Sequence, residues 1–516
     1  MIKWQSSFRQ LIKVGVWDLV YRLKYWLVLV LLIFTCGAVS ARNAEFRVAI
    51  KTDGFTELDH DQAVVSSDGG PIILIGFEHN FVSSGPVTIV PTAEGILVAD
   101  DHEQLLMGSP VWVYPEHNCR LTLESIKRGD AWGFSPSYRG FLEITLTESH
   151  KLQIINTVTV EDYLYGVVPS EMPVSSPLEA LKAQAVASRT YVVRAIIEAR
   201  SAGRSYHVDD SVFAQVYNNR QEDSRAKEAV DQTSGIVMLD SSGLLVRSYF
   251  HSTSSGFTAA AHEVWGGSTR SSFPGTPISY LLSRSVLTSD LVVDWSDEEQ
   301  AFAFLRDKTI DSYEKQSPWF RWQVKFTRKQ LEQIINANLA DRYRAQPEFV
   351  LTQNSSGEFV SAPIPEDGIG ELLDIKVSAR GSGGNALSVD IVSTNGTFRV
   401  SKELNIRSLL CPTNRYTGSE DIVIHRMHDQ ILNYSLLPSA NIAFEINRNN
   451  NEIAEVIVYG GGIGHGVGMS QWGARGMAEA GYSYEDILQA FYQDITLIDI
   501  YTVSDWHSLV FEVENR

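Results

Sequence analysis

The chain has 516 residues, 44% of them hydrophobic and 20% charged, with a formal net charge of −19. Ordinary composition at this length points to a globular protein of roughly two to four units, at the usual ~100–200 residues each. The acidic balance excludes a protein that tracks phosphates with a concentrated basic surface, so no nucleic-acid partner is expected.

The N-terminus carries Lys3, Arg9, Lys13, Arg22 and Lys24, then an uncharged apolar run from Tyr25 through Val39, then Ser40-Ala41 before Arg42. A positive flank, a short apolar stretch and small residues make residues 1–41 a signal peptide or a single-pass membrane anchor, with Ala41 the candidate cleavage point. Either way residues from about 42 onward are expected outside the cytoplasm, in the periplasm, cell envelope or extracellular face. Membrane contact is expected only through that segment. Cys36 lies inside it, which leaves Cys119 and Cys411 for the exported part; they could form one disulfide in an oxidising compartment, but two far-separated cysteines are more often simply buried.

Short apolar runs then alternate with Gly, Ser, Asn and Asp turns at 46–50, 71–75 and 87–90, giving a β-rich unit over 42–137. A hairpin over 138–146 and 152–156 opens the next unit, 138–290, which continues with a helix near Ala226–Thr233 and strands at 236–239 and 245–251. Residues 291–370 read as an inserted or second lobe with a helix at 329–339, ending in a polar Pro/Gly-rich linker over Gln346–Gly370. Strands at 372–379 and 387–393 begin the last unit, 371–516, which ends with a helix around Met469–Ala478 stopped at Gly481 and another from Ser483. The fold class is α+β.

Chemistry concentrates in three stretches. In Val158–Arg194, Glu171 reads as a carboxylate on a Pro-bracketed turn before a helix with Ser176 at N-cap, Pro177 at N1 and Glu179 at N3. Lys182 and Arg189 lie seven residues apart and so share a face of that helix, with Gln184 nearby. This is either a groove wall or an amphipathic helix with solvated charges. In Tyr249–Gly256 and His262–Gly267, hydroxyls, His251, His262 and Trp265 suit a polysaccharide surface or, more plainly, a Ser-rich turn around a buried indole. A zinc site on His251, His262 and Glu263 is conceivable, but structural zinc favours four ligands and thiolates, and no cysteine lies in this region. In Gly460–Gln471, glycines at 462, 464, 466 and 468 would leave one face of an extended strand bare to a ligand. His465 among them is either a groove contact or satisfied by the next loop. The glycines do not fit a dinucleotide fingerprint, and neither G-x-S-x-G nor H-E-x-x-H occurs.

Together the segments resemble the SpoIID/LytB family of stage II sporulation protein D and amidase enhancers. The carriers are Val160-Glu161-Asp162-Tyr163-Leu164, Pro169-Ser170-Glu171-Met172-Pro173, Glu179–Ala185, Ser188-Arg189-Thr190-Tyr191, Gln215-Val216-Tyr217, Phe250-His251-Ser252-Thr253 and Gly464–Ala474. The resemblance implies a β-rich, multi-lobed architecture with a few helices around a central groove. It implies action on bacterial cell-wall peptidoglycan, as a lytic transglycosylase that cuts glycan strands stripped of stem peptides. Glu171 is then the acid/base, with Lys182, Gln184, Arg189, Gln215, Tyr217, His251, His465, Ser470 and Gln471 at the substrate. Some members bind zinc through His and Cys ligands near His251, but this chain has Ser254 and Ser255 there, so no cofactor is expected. The other branch of the family implies a non-catalytic, wall-binding enhancer of an N-acetylmuramoyl-L-alanine amidase.

A single carboxylate suffices if the 6-hydroxyl of the same muramic acid is the nucleophile, whereas ordinary glycosidases use two acids. A helix N-terminus and two cations beside Glu171 would lower its pKa, the wrong direction for an acid catalyst. Desolvation by Val167, Val168, Met172 and bound glycan is expected to outweigh them.

Overall fold

The computed structural model describes residues 45–506 and Leu509, apart from 117–118, 130–132, 212–214, 220–221, 268 and 419. The signal or anchor segment lies outside the described residues, as do Phe213 and Ala214. Among the described residues no helix is long and apolar enough to cross a membrane.

Alternating burial along short strands builds two sheets on one apolar core. The larger runs, edge to edge, through 208–209, 45–50, 152–159, 141–146, 111–115, 72–75 and 80–83, with 59–60 also against 152–159. The other runs through 137–138, 121–123, 63–67, 87–91, 96–99 and 104–107. Strand Phe141–Leu146 pairs on one side with 111–113 and on the other with 152–157, so the larger sheet passes across residue 137. The mixed α+β class holds in this sheet-rich arrangement.

Strand Leu152–Thr159 runs straight into helix Val160–Glu171, whose start is fixed by Thr159 Oγ1 accepting from the Asp162 amide at 3.3 Å. The long helix Leu178–Ser201 packs against this helix, against 224–232, 471–479 and 484–491, and against strand 236–239. The expected Ser176 cap does not form. Pro177 occupies the N-cap position, Ser176 Oγ is buried without a partner, and Glu179 instead accepts from the Tyr484 amide at 2.8 Å.

A second lobe has its own core, from Trp322 to Val458. One five-stranded sheet is built from 322–327, 423–425, 430–432, 442–449 and 452–460, the other from 350–353, 359–360, 372–380, 386–393 and 396–401. Helix Arg328–Ala345 begins at a Thr327/Gln330 capping box. The stretch read as a linker, Gln346–Gly370, contains two of these strands, with Val350 opposite Val400. Its polar residues are the solvent side of an edge hairpin. The lobe therefore spans residue 370, and it interrupts the chain between the Ser-rich segment and the glycine segment, which meet in space where strand 250–251 pairs in parallel with 469–470.

Candidate active site

Glu171 is the last residue of helix Val160–Glu171, not a turn residue before the next helix. The reason is Pro173: a residue before proline is pushed out of the helical region, and Met172 is extended at φ −130°, ψ 135°. The carboxyl thus sits at the negative end of a helix dipole rather than the positive end. It keeps a narrow opening to solvent, yet burial pushes its pKa up to about 7, against the opposing pull of the Val216 amide and the Gln471 side chain. No second carboxylate contributes to the shift. Desolvation therefore outweighs the hydrogen bonds and leaves the carboxyl above its ordinary value.

A relay of amides surrounds it. The Val216 amide donates to Glu171 Oε1 at 2.7 Å, Gln471 Nε2 donates to Gln184 Oε1 at 3.3 Å, and Gln184 Nε2 donates to Ser188 Oγ at 3.1 Å. Gln215 Nε2 donates to the Ser188 carbonyl at 3.4 Å, while its Oε1 is buried without a partner. Among the described residues two neutral groups, the Val216 amide and the Gln471 side chain, hold the carboxyl, and Gln184 and Ser188 in turn hold Gln471, which fixes its position without a neighbouring cation to force it to ionise.

Other expected groove residues are placed differently. Arg189 is fully buried, gripping Glu161 through Nε and Nη2 at 2.8 and 2.7 Å, with further bonds to Thr233, Val230 and Ile236. Burial alone would raise Glu161, but the Arg189 charge, with Tyr501 and the Gly235 amide, brings its pKa below the ordinary value. The helix face it shares with Lys182 is covered at that point by 224–239, so Arg189 braces the acid-bearing helix and does not line an open groove. Lys182 is half-buried, bonded to Glu179 at 2.7 Å and lying 5.8 Å from the Tyr484 ring. Tyr217 is a core residue whose hydroxyl donates to Asn156 Oδ1 at 2.9 Å.

The glycine segment is not an extended strand. Gly462, Gly464, Gly466 and Gly468 all have φ between 74° and 102°, a series of left-handed positions that only glycine adopts cheaply. At Gly468 a Cβ would meet the Tyr249 carbonyl at 1.9 Å, and at Gly462 the Thr253 carbonyl at 2.5 Å, so the segment is bare because it lies against the Ser-rich segment. His251 Nδ1 donates to the Val467 carbonyl at 3.1 Å and its Nε2 is buried and unpartnered. His465 Nδ1 accepts from the Val467 amide at 3.0 Å. Burial holds both imidazoles neutral, at about 4 for His251 and about 3 for His465. The His465 ring lies 4.8 Å from Trp265, which is 43% exposed and therefore open to stack on a ligand ring.

Ser470 caps helix Gln471–Glu479 through the Gly473 amide and donates to Glu314. Glu314 also accepts from Ser254 Oγ at 2.6 Å and from the Ser254 and Gly256 amides. Burial raises its pKa and these bonds partly offset the rise. This carboxyl, which no sequence pattern marked, ties the Ser-rich segment to the helix that carries Gln471. Among the described residues no three His, Cys, Asp or Glu side chains gather as a metal site. Cys119 and Cys411 are free thiols.

The profile described as SpoIID, stage II sporulation protein, matches residues 148–239, and the chain is similar to proteins of both branches of the SpoIID/LytB family. It is 28% identical over 65% of its length to the amidase enhancer of Bacillus subtilis (strain 168), of which the match covers 40%. It is 27% identical to stage II sporulation protein D of Bacillus amyloliquefaciens, over 81% of this chain and 94% of that one. The corresponding protein of Bacillus subtilis (strain 168) is 25% identical over 82% and 89%.

Proposed function

We propose that the protein is an exported peptidoglycan lytic transglycosylase that cuts peptide-stripped glycan strands and leaves 1,6-anhydro-muramic acid ends. The observation that carries this reading is a single carboxyl, pushed up to about 7, held by the Val216 amide and Gln471 with no carboxylate partner among the described residues. A hydrolase needs a second acid to activate water or to act as nucleophile. A lone acid fits an internal nucleophile, donating its proton to the glycosidic oxygen and then taking one from the 6-hydroxyl. General acid/base catalysis of this kind is worth roughly 10²–10⁴ in rate. Val216 and Gln471 orient the carboxyl, Gln184 and Gln215 supply amide groups beside it, and Trp265 offers a ring surface for a sugar.

A second reading, a non-catalytic enhancer acting with a cell-wall amidase, is favoured by the similarity to the amidase enhancer of Bacillus subtilis (strain 168). Incubating the protein with intact and stripped strands separates the two. The first reading predicts anhydro-ended fragments from stripped strands, lost in Glu171→Gln. The second predicts faster release of peptides by added amidase with no glycan cut.

A further inference from the structure

Along the long helix, Gln184, Ser188, Tyr191, Ala195 and Glu198 succeed one another at spacings of four and three residues and form one stripe. Two segments cover its first half, where Gln184 and Ser188 are fully buried. On one side Gln215 reaches the Ser188 carbonyl, and on the other Ser248 Oγ donates to the Ala187 carbonyl at 2.7 Å. One end of the stripe is the amide relay at Glu171. Ten residues on, about 15 Å at ~1.5 Å per residue, the same helix face opens into a cavity of about 240 Å³.

Arg194, Arg204, Arg247, His207, Tyr191 and Tyr249 contribute to its lining. Arg194 is held by Glu198 at 2.7 Å and by the Leu245 carbonyl at 2.8 Å. Arg204 and Arg247 are exposed and have no ion-pair partner among the described residues. His207 Nδ1 accepts from the Arg47 amide at 3.1 Å, so in the neutral ring the proton sits on Nε2, a donor. Three guanidinium groups against one carboxylate, in a chain of net charge −19, invert the local field. Solvated surface arginines need no concavity, but here they converge on one. Tyr249, on its wall, continues through Trp265, at 4.6 Å between ring centres, to His465.

We propose that this cavity is a carboxylate subsite for the free lactyl group of a muramic acid lying a few sugars from the bond at Glu171. The proposal rests on the transglycosylase reading and supplies its selectivity. While a stem peptide is attached, the lactyl group is an uncharged amide. Hydrolysis of that amide leaves a carboxylate on the sugar, which Arg204 and Arg247 can grip with short charge-assisted bonds. The subsite thereby distinguishes stripped from peptide-bearing strands, and the reaction that must supply the substrate is amide hydrolysis at the lactyl carbonyl.

Binding is measured with the full chain carrying Glu171→Gln, so that strands stay uncut. Three ligands are compared: stripped strands, the same strands with their carboxylates converted to amides, and peptide-bearing strands. Stripped strands should bind roughly tenfold more tightly than the amidated ones. Adding Arg204→Gln and Arg247→Gln should abolish that difference while leaving affinity for amidated strands within about twofold. Equal binding of stripped and amidated strands, or a preference that survives the double substitution, overturns the subsite. Tighter binding of peptide-bearing strands overturns the lactyl assignment in favour of peptide carboxylates. Binding of none of the three overturns the transglycosylase reading as well, whereas wild-type protein that cuts amidated strands as fast as stripped ones overturns the subsite alone.

Discussion

Replacing Glu171 with glutamine should destroy activity and stabilise the protein, and the gain should grow with pH. In the folded state the carboxyl is pushed by burial from the ordinary value near 4.5 to about 7. Each unit of that interval is worth about 1.36 kcal/mol, so ionising the buried group costs the native state about 3 kcal/mol in full. The folded value lies above the unfolded one. The native state therefore holds the proton more tightly, and the associated stability is complete below pH 4.5 and lost as pH rises through 7. Between pH 5 and pH 8 the wild type should lose about 2–3 kcal/mol from this group. Glutamine keeps an oxygen for the Val216 amide and does not titrate. His251 and His465, held near 4 and 3, destabilise both proteins equally as pH falls below 6.5 and cancel in the comparison. Urea unfolding of both proteins at pH 5 and pH 8 reads the effect directly. The variant should be the more stable at pH 8, with its advantage shrinking by about 2–3 kcal/mol at pH 5. An offset that does not change with pH would refute the raised pKa and with it the acid role.

Three further substitutions separate bracing from chemistry. Arg189→Met should cost about 3–5 kcal/mol, because it leaves Glu161 without its buried partner; a normal melting temperature with a raised KM would instead place Arg189 at the substrate. Ser470→Ala removes a helix cap and one donor to buried Glu314, a loss of about 1–3 kcal/mol in chemical denaturation, and a change below ~0.5 kcal/mol would count against that clamp. Gly468→Ala forces a side chain to φ 74° and against the Tyr249 carbonyl, so about 3 kcal/mol or more should be lost. Hydrogen exchange at Met469 and Ser470 should rise in step, and unchanged protection there would contradict the pairing of the two segments.

Legibility in the sequence followed locality. Apolar alternation at 46–50 and 87–90, and the Ser483 capping signal, marked elements that the fold contains, because their causes lie within a few residues. Glu171 stood out in the sequence, but its setting was misjudged: two prolines suggested a turn, whereas the helix runs through Pro169 and ends before Pro173. The shared face of Lys182 and Arg189 was readable from spacing, yet spacing does not say what covers a face, and Glu161 with residues 224–239 covers Arg189. The glycine segment kept its position and changed its geometry, since alternation alone cannot distinguish a bare strand from successive left-handed residues. Glu314 carried no local signal at all. Its role depends on the second lobe bringing residue 314 against Ser254 and Ser470, contacts separated by 60 and 156 residues.

The central claim is that Glu171, alone and protonated, cuts glycan strands. Mass spectrometry of stripped strands after incubation with wild type and Glu171→Gln, at pH 6, tests it most directly. The account predicts fragments ending in 1,6-anhydro-muramic acid from the wild type and none from the variant, with the variant folded. Fragments with reducing ends, equal products from both proteins, or no cleavage by either would contradict it.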